Sequence, residues 1–193
     1  MSKYPQAKFL KSASAPAGFG DESGVEVAFA GRSNSGKSSA INAIVGQRDL
    51  ARTSRTPGRT QLVNFFELEP GRRLVDLPGY GFARVPVPVR EQWGRLIEAY
   101  FKARESLVGV VIVVDARRGF GESDGVMLGY ASAAGCRAHV LLTKADKLSR
   151  NEGQQVLKAA RATLGERAGV QLFSAQTGEG VDAARGTLRE LMG

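Results

Sequence analysis

Gly31-Arg32-Ser33-Asn34-Ser35-Gly36-Lys37-Ser38 fits the phosphate-binding pattern GxxxxGK[ST]. The residues on either side give the pattern a structural setting. Val25-Glu26-Val27-Ala28-Phe29-Ala30 alternates as a strand, and Ser39-Ala40-Ile41-Asn42-Ala43-Ile44-Val45 reads as the start of a helix. A strand, a glycine loop and a helix N-terminus together make a site for phosphate. Gly31 and Gly36 let the backbone curl so that successive N–H groups point inward. The helix N-terminus adds partial positive charge. Lys37 is placed to reach the β- and γ-phosphates, and the Ser38 hydroxyl to ligate Mg²⁺.

Outward from this loop, strand-like and helix-like segments alternate. Strands are expected at about 25–30, 61–68, 72–75, 107–114, 138–142 and 169–173, and helices at about 90–104, 122–134, 151–164 and 181–191 besides the one that follows Ser38. Glu69-Pro70-Gly71 turns the second strand into a hairpin with the third. Repeated βα units imply an α/β fold of three layers: a mainly parallel, six-stranded sheet with one antiparallel edge strand and helices on both faces. Residues 1–23 are polar and dotted with Pro and Gly, so they read as an N-terminal arm ahead of a domain spanning 24–193.

Ligands bind such sheets at the carboxyl ends of the strands, and the polar signatures fall there. Asp76-Leu77-Pro78-Gly79 follows the third strand. Asp76 can hold Mg²⁺ through water, and the Gly79 N–H can sense a γ-phosphate. Thr143-Lys144-Ala145-Asp146 follows the fifth strand. Guanine presents an N1–H and an N2 amino group on one edge, and the Asp146 carboxylate can accept from both. Adenine lacks that donor pair, so Asp146 selects guanine. The Lys144 stem can lie across the base. Phe173-Ser174-Ala175 follows the sixth strand, where backbone N–H groups can meet guanine O6.

Composition narrows the classes further. At 193 residues, 42% hydrophobic and 24% charged, the chain reads as one soluble globular domain. The longest strongly apolar run, Leu107 to Val114, is far short of a membrane span, and the absence of a secretory h-region near Met1 points to the cytoplasm. Cys136 is the only cysteine, which excludes an intramolecular disulfide, and it reads as a small buried hydrophobe. With His139 the only histidine, zinc clusters and a Ser-His-Asp triad are disfavoured. The net charge of +8 is uneven: residues 1–104 hold 16 Lys+Arg against 9 Asp+Glu, and residues 105–193 hold 11 against 10. The basic half suggests a polyanionic partner, RNA or lipid, although a merely solvated basic surface has the same composition.

Taken together, these loops resemble the signature loops of small GTPases of the translation-factor-related class. Gly31 to Ser39, Pro57-Gly58-Arg59-Thr60-Gln61 with Asn64-Phe65-Phe66, and Asp76-Leu77-Pro78-Gly79-Tyr80-Gly81-Phe82-Ala83 narrow the resemblance, with Thr143 to Asp146, to the EngB family of bacterial GTPases. It covers nearly the whole chain from about Phe9. It implies a GTP-binding switch that hydrolyses GTP, assists assembly of the large ribosomal subunit, and is tied to normal cell division and septation, acting as a monomer. By the same resemblance Ser38 and Thr60 bind Mg²⁺, and Gly31–Ser38, Gly58, Arg59, Thr60, Gln61, Leu62, Asp76–Gly79, Thr143–Asp146 and Phe173–Ala175 contact GTP or GDP. Only the Pro-Gly-Arg-Thr frame singles out Thr60 over Thr53 and Thr56.

Three departures bear on catalysis and affinity. Tyr80 stands where Ras-like enzymes carry a water-positioning glutamine, so Lys37, Thr60 and Asn34 are left as the catalytic candidates and slow turnover is expected, roughly 10⁻⁴ s⁻¹. Asn34 matches the asparagine with which related GTPases hold K⁺ near the phosphates, where the ion replaces an arginine finger. Thr143 replaces the commoner asparagine, which predicts modest nucleotide affinity. Two rival readings are a P-loop kinase acting on a small molecule and a structural GTPase at the septum.

Overall fold

The computed structural model describes residues 4–51, 62–81 and 87–193. Among these residues, seven strands form one sheet: β1 (Lys8–Ala13), β2 (Val25–Gly31), β3 (Val63–Glu69), β4 (Arg72–Asp76), β5 (Leu107–Asp115), β6 (Arg137–Thr143) and β7 (Gly169–Leu172). Five α-helices accompany them: α1 (Lys37–Val45), α2 (Val87–Ala103), α3 (Glu122–Ala133), α4 (Arg150–Leu164) and α5 (Val181–Met192). Across the sheet the order is β1-β3-β4-β2-β5-β6-β7.

The three layers follow from strand alternation. On β5, Val110, Ile112 and Val114 face a cluster that holds Leu96 and Tyr100 of α2, Met127 and Ala131 of α3, and Leu157 and Ala160 of α4. Val111 and Val113 of the same strand face the opposite cluster, with Ile41 and Ile44 of α1 and Leu188 and Leu191 of α5. A strand apolar on both faces belongs between two helical layers, as its continuous apolar run from Leu107 to Val114 predicts.

The sheet has seven strands where the sequence suggests six. The additional strand lies in the segment read as an N-terminal arm: β1 pairs antiparallel with β3 and covers its outer edge. β3 also pairs antiparallel with β4, so among the described strands it alone runs against the others, but it is internal and β1 is the edge. Tyr4, Ala7, Ala13 and Phe19 of the same segment are buried in the two cores. β1 escapes sequence reading because it lacks a buried face; of its six residues only Ala13 is buried. Backbone hydrogen bonds to an open sheet edge hold it, and these leave no mark on side-chain pattern.

Behind the sheet, a buried ionic network fixes the far end of α2. Glu26 is fully buried on β2 and accepts hydrogen bonds from Arg73 Nε at 2.8 Å, Tyr100 Oη at 3.0 Å and Arg104 Nε at 3.1 Å. The same Arg104 guanidinium donates to Gly20 O at 3.0 Å and Asp21 O at 3.0 Å, and so ties the N-terminal segment to the helix. A buried carboxylate is tolerated only with partners of this kind.

Candidate functional site

The carboxyl ends of β2, β4, β5, β6 and β7 converge on one side of the molecule. At the end of β2 the chain enters the glycine loop. A Cβ on Gly31 would stand 2.7 Å from Val113 O and 2.7 Å from Ser35 Oγ, so only glycine lets the loop close against β5. Gly36 has φ +92°, in the left-handed region, and turns the chain directly into α1 at Lys37. The first N–H groups of α1 have no intrahelical acceptor, and they open onto this loop. Ser38 follows Lys37 in the first turn.

Lys37 Nζ forms a direct ion pair with Asp76 Oδ1 at the end of β4, and both side chains are largely buried. Lys37 and Asp76, read from sequence as phosphate ligand and metal ligand, are thus brought together. The Lys37 ammonium supplies a cation that compensates the largely buried Asp76 carboxylate. Among the described residues, no group of three His, Cys, Asp or Glu side chains could hold a metal ion. Mg²⁺ in a phosphate site needs only one or two protein oxygens, because phosphate and water complete the shell. The Ser38 hydroxyl and the Asp76 carboxylate are hard oxygen donors of the right kind. Thr60, Gly58, Arg59 and Gln61 lie outside the described residues, and Leu62 stands half-buried just before β3.

The guanine side is built from braced loops. Asp146 Oδ1 accepts a hydrogen bond from Ser174 Oγ at 2.6 Å, and Ser174 is fully buried. That hydroxyl, against some desolvation and with help from Lys147, holds the Asp146 carboxyl below the usual carboxylate range. It therefore stays charged and ready to accept. Ala145 N donates to Phe173 O at 3.2 Å, which joins the loops after β6 and β7. Lys144 sits at φ +58° and stretches back across the site, with Nζ donating to Asn34 O at 2.6 Å and pairing with Asp115 Oδ2 at 2.9 Å.

Thr143 does more than its single hydroxyl suggested. Its Oγ1 lies in hydrogen-bonding contact with Ser35 O of the glycine loop and at 3.0 Å from Val114 O. It can donate its one proton to only one of them at a time, yet it braces the β6 end against the phosphate loop. Asp115 is the site residue that sequence reading missed. It accepts from Arg117 Nε at 2.9 Å as well as from Lys144. Burial works against its charge, but the bonds from Arg117 and Lys144 outweigh burial and hold it well below the usual carboxylate range. The available signal was its position, an acidic residue at the carboxyl end of a parallel strand.

Several expected contact residues offer main chain only. Leu77 and Phe173 point into the core, at 1% and 0% exposure, and the Leu77 N–H is spent on Phe29 O at 3.0 Å. Ser33 N donates to Tyr80 O at 2.9 Å, so that amide does not face the phosphate position. The Arg32 side chain runs beside Gly81. Asn34 is exposed at φ +62°, with its carbonyl already bonded to Lys144.

Comparison with known proteins agrees with this geometry. Residues 26–144 match a family model described as 50S ribosome-binding GTPase. The chain is 47% identical over 192 residues to a probable GTP-binding protein EngB of Xanthomonas campestris pv. campestris strain 8004, with 97% of this chain and 93% of that protein covered. It is 50% identical over 176 residues to the probable GTP-binding protein EngB of Stenotrophomonas maltophilia strain K279a, covering 89% of this chain and 88% of the relative. Among solved structures, the crystal structure of a probable GTP-binding protein engB superposes with a TM-score of 0.71 at 23% identity, covering 87% of this chain and 98% of the other. That last likeness bears on the fold, whereas the matches to the sequence relatives extend along nearly the whole chain. The chain belongs to the EngB family of GTP-binding proteins and is a GTPase.

Proposed function

We propose that this GTPase is a nucleotide-dependent switch that binds precursors of the large ribosomal subunit, and that its link to cell division and septation runs through ribosome supply. The observation that carries this reading is the match of residues 26–144 to a family described as 50S ribosome-binding GTPases. The charge distribution supports it, since the basic excess lies in residues 1–104, the half that holds the phosphate loop and the Asp76–Gly79 loop. Arg48 is exposed beside α1, while Arg52, Arg55, Arg59 and Arg84 lie outside the described residues. No helix among the described residues is long and apolar enough to cross a membrane. The protein works as a monomer in the cytoplasm.

Ser38 and Thr60 would hold Mg²⁺ beside bound GTP, with the Asp76 carboxylate as a further oxygen donor. When bound, the ion would supply positive charge against the phosphates. Lys37 holds the phosphates, Asp146 holds the guanine edge, and the Gly79 N–H meets the γ-phosphate. Tyr80 has no group able to orient water as a glutamine does, so unassisted turnover is slow, roughly 10⁻⁴ s⁻¹. A turnover above about 1 s⁻¹ without an activator contradicts this. Asn34 would hold K⁺, which would supply positive charge to the phosphates, so hydrolysis is expected to be faster in KCl than in NaCl; equal rates remove K⁺ from the account.

Depletion of the protein from growing cells tests the function. Sucrose-gradient profiles are expected to show an incomplete large-subunit particle before septation fails. Normal subunit profiles in cells that already fail to divide favour a structural role at the septum instead.

A further inference from the structure

Tyr80, which cannot do the work of glutamine, is held at three points. Its N–H donates to Gly31 O at 3.2 Å and its carbonyl accepts from Ser33 N at 2.9 Å, so it forms a parallel bridge with Arg32 of the phosphate loop. Its hydroxyl donates to Asp124 Oδ1 at 2.8 Å on α3. Asp124 is fully buried, and its other oxygen accepts from Gly121 N at 2.9 Å at the start of that helix. The Arg32 side chain packs into the same corner. A Cβ on Gly81 would stand 3.1 Å from Arg32 Nε, and one on Gly121 would stand 4.0 Å from Arg32 Nη1. Burial, and then the Asp124 charge, push the Tyr80 phenol far above its ordinary range, so it remains a donor.

A fully buried carboxylate with two donors is an anchor that is costly to abandon. The residue immediately after Gly79 is therefore fastened to the phosphate loop by its main chain and to α3 by its side chain. We propose that Tyr80 is a positioning residue: it presets the Gly79 N–H for the γ-phosphate and carries the state of the phosphate site to the first turn of α3. The role rests on the reading that Gly79 meets the γ-phosphate. GDP lacks that group, so its binding does not draw on the preset loop. GTP binding does, because a loop already in place has less conformational freedom to lose.

The test is Tyr80→Phe, which removes only the hydroxyl. Equilibrium binding of a non-hydrolysable GTP analogue and of GDP is measured for both proteins, with hydrogen exchange of the 121–124 amides in each nucleotide state. The expected result is a selective loss of about 3- to 10-fold in affinity for the GTP analogue, the worth of one such hydrogen bond, with GDP affinity unchanged. In the native protein the 121–124 amides exchange more slowly with the GTP analogue than with GDP, and in the variant that difference disappears. Equal loss for both nucleotides marks a merely structural tyrosine and overturns the proposal, as does an unchanged or increased affinity for the GTP analogue. The native exchange measurement stands by itself if the variant folds poorly. Equal protection of 121–124 in both nucleotide states overturns the coupling, while intact GDP binding there shows that the nucleotide site itself is sound.

Discussion

Lys37→Ala is expected to remove nearly all affinity for GTP and GDP, a loss of at least about 100-fold. Lys37 is the first residue of α1 and its ammonium is largely buried against Asp76. That ammonium is the cation placed to meet the phosphates of a bound nucleotide. Each charge-assisted hydrogen bond of this kind contributes about 1.5–3 kcal/mol, and two phosphate oxygens are within the reach of one lysine. The substitution also leaves the Asp76 carboxylate unpaired beside the incoming phosphates, where its charge repels them. Titration calorimetry with GDP and with a GTP analogue measures the effect. Lys37→Met keeps the apolar stem and is expected to lose as much, because charge and not packing carries the interaction. A loss below about 5-fold in either variant would mean that phosphate is held elsewhere.

Asp146→Asn is expected to lower guanine nucleotide affinity by about 100-fold and to transfer preference to xanthine nucleotides. The carboxylate is held by Ser174 Oγ at 2.6 Å and by Lys147 Nζ at 3.2 Å, so it stays charged and fixed in direction. Guanine offers two donors to it. Asparagine offers one acceptor and one donor, which opposes the guanine N2 amino group but matches xanthine, whose C2 carries an oxygen. Sites built on such pairing discriminate by up to about 10⁴–10⁵, because the mismatched polar groups are left unsatisfied. Competition binding among GDP, xanthosine diphosphate and ADP reads the change. Unaltered guanine preference in the variant would show that the base is read by another residue.

The parts of this fold visible in sequence are those whose side chains do the structural work. The β5 run from Leu107 to Val114 and the helical spacing of Trp93, Leu96, Ile97, Tyr100 and Phe101 on α2 each report a buried face, and all of those aromatic and aliphatic positions on α2 are buried. The phosphate loop was legible because glycine is required where Gly31 closes on β5 and where Gly36 turns into α1. β1 was not, since Lys8 to Ser12 are exposed or half-buried, and main-chain pairing with surface contacts such as Ser12 to Asn64 secures them without a buried face. The roles of Thr143 and Asp115 were hidden for another reason. Thr143 acts through a carbonyl more than 100 residues earlier, at Ser35, and Asp115 through Lys144, a pairing that only the parallel register of β5 and β6 brings about. Tyr80 read as the loss of a glutamine, and its partner Asp124 lies 44 residues away on a helix with no sequence mark of the contact.

The central claim, that nucleotide state governs attachment to the ribosome, is tested most directly by co-sedimentation of the protein with purified large-subunit precursors across a salt series. With a GTP analogue the protein is expected to travel with the particles, and with GDP to remain largely at the top of the gradient. The affinity of the GTP-bound form should fall steeply with salt, as contacts to RNA phosphate require. Identical co-sedimentation with both nucleotides, or association indifferent to salt, would contradict the account.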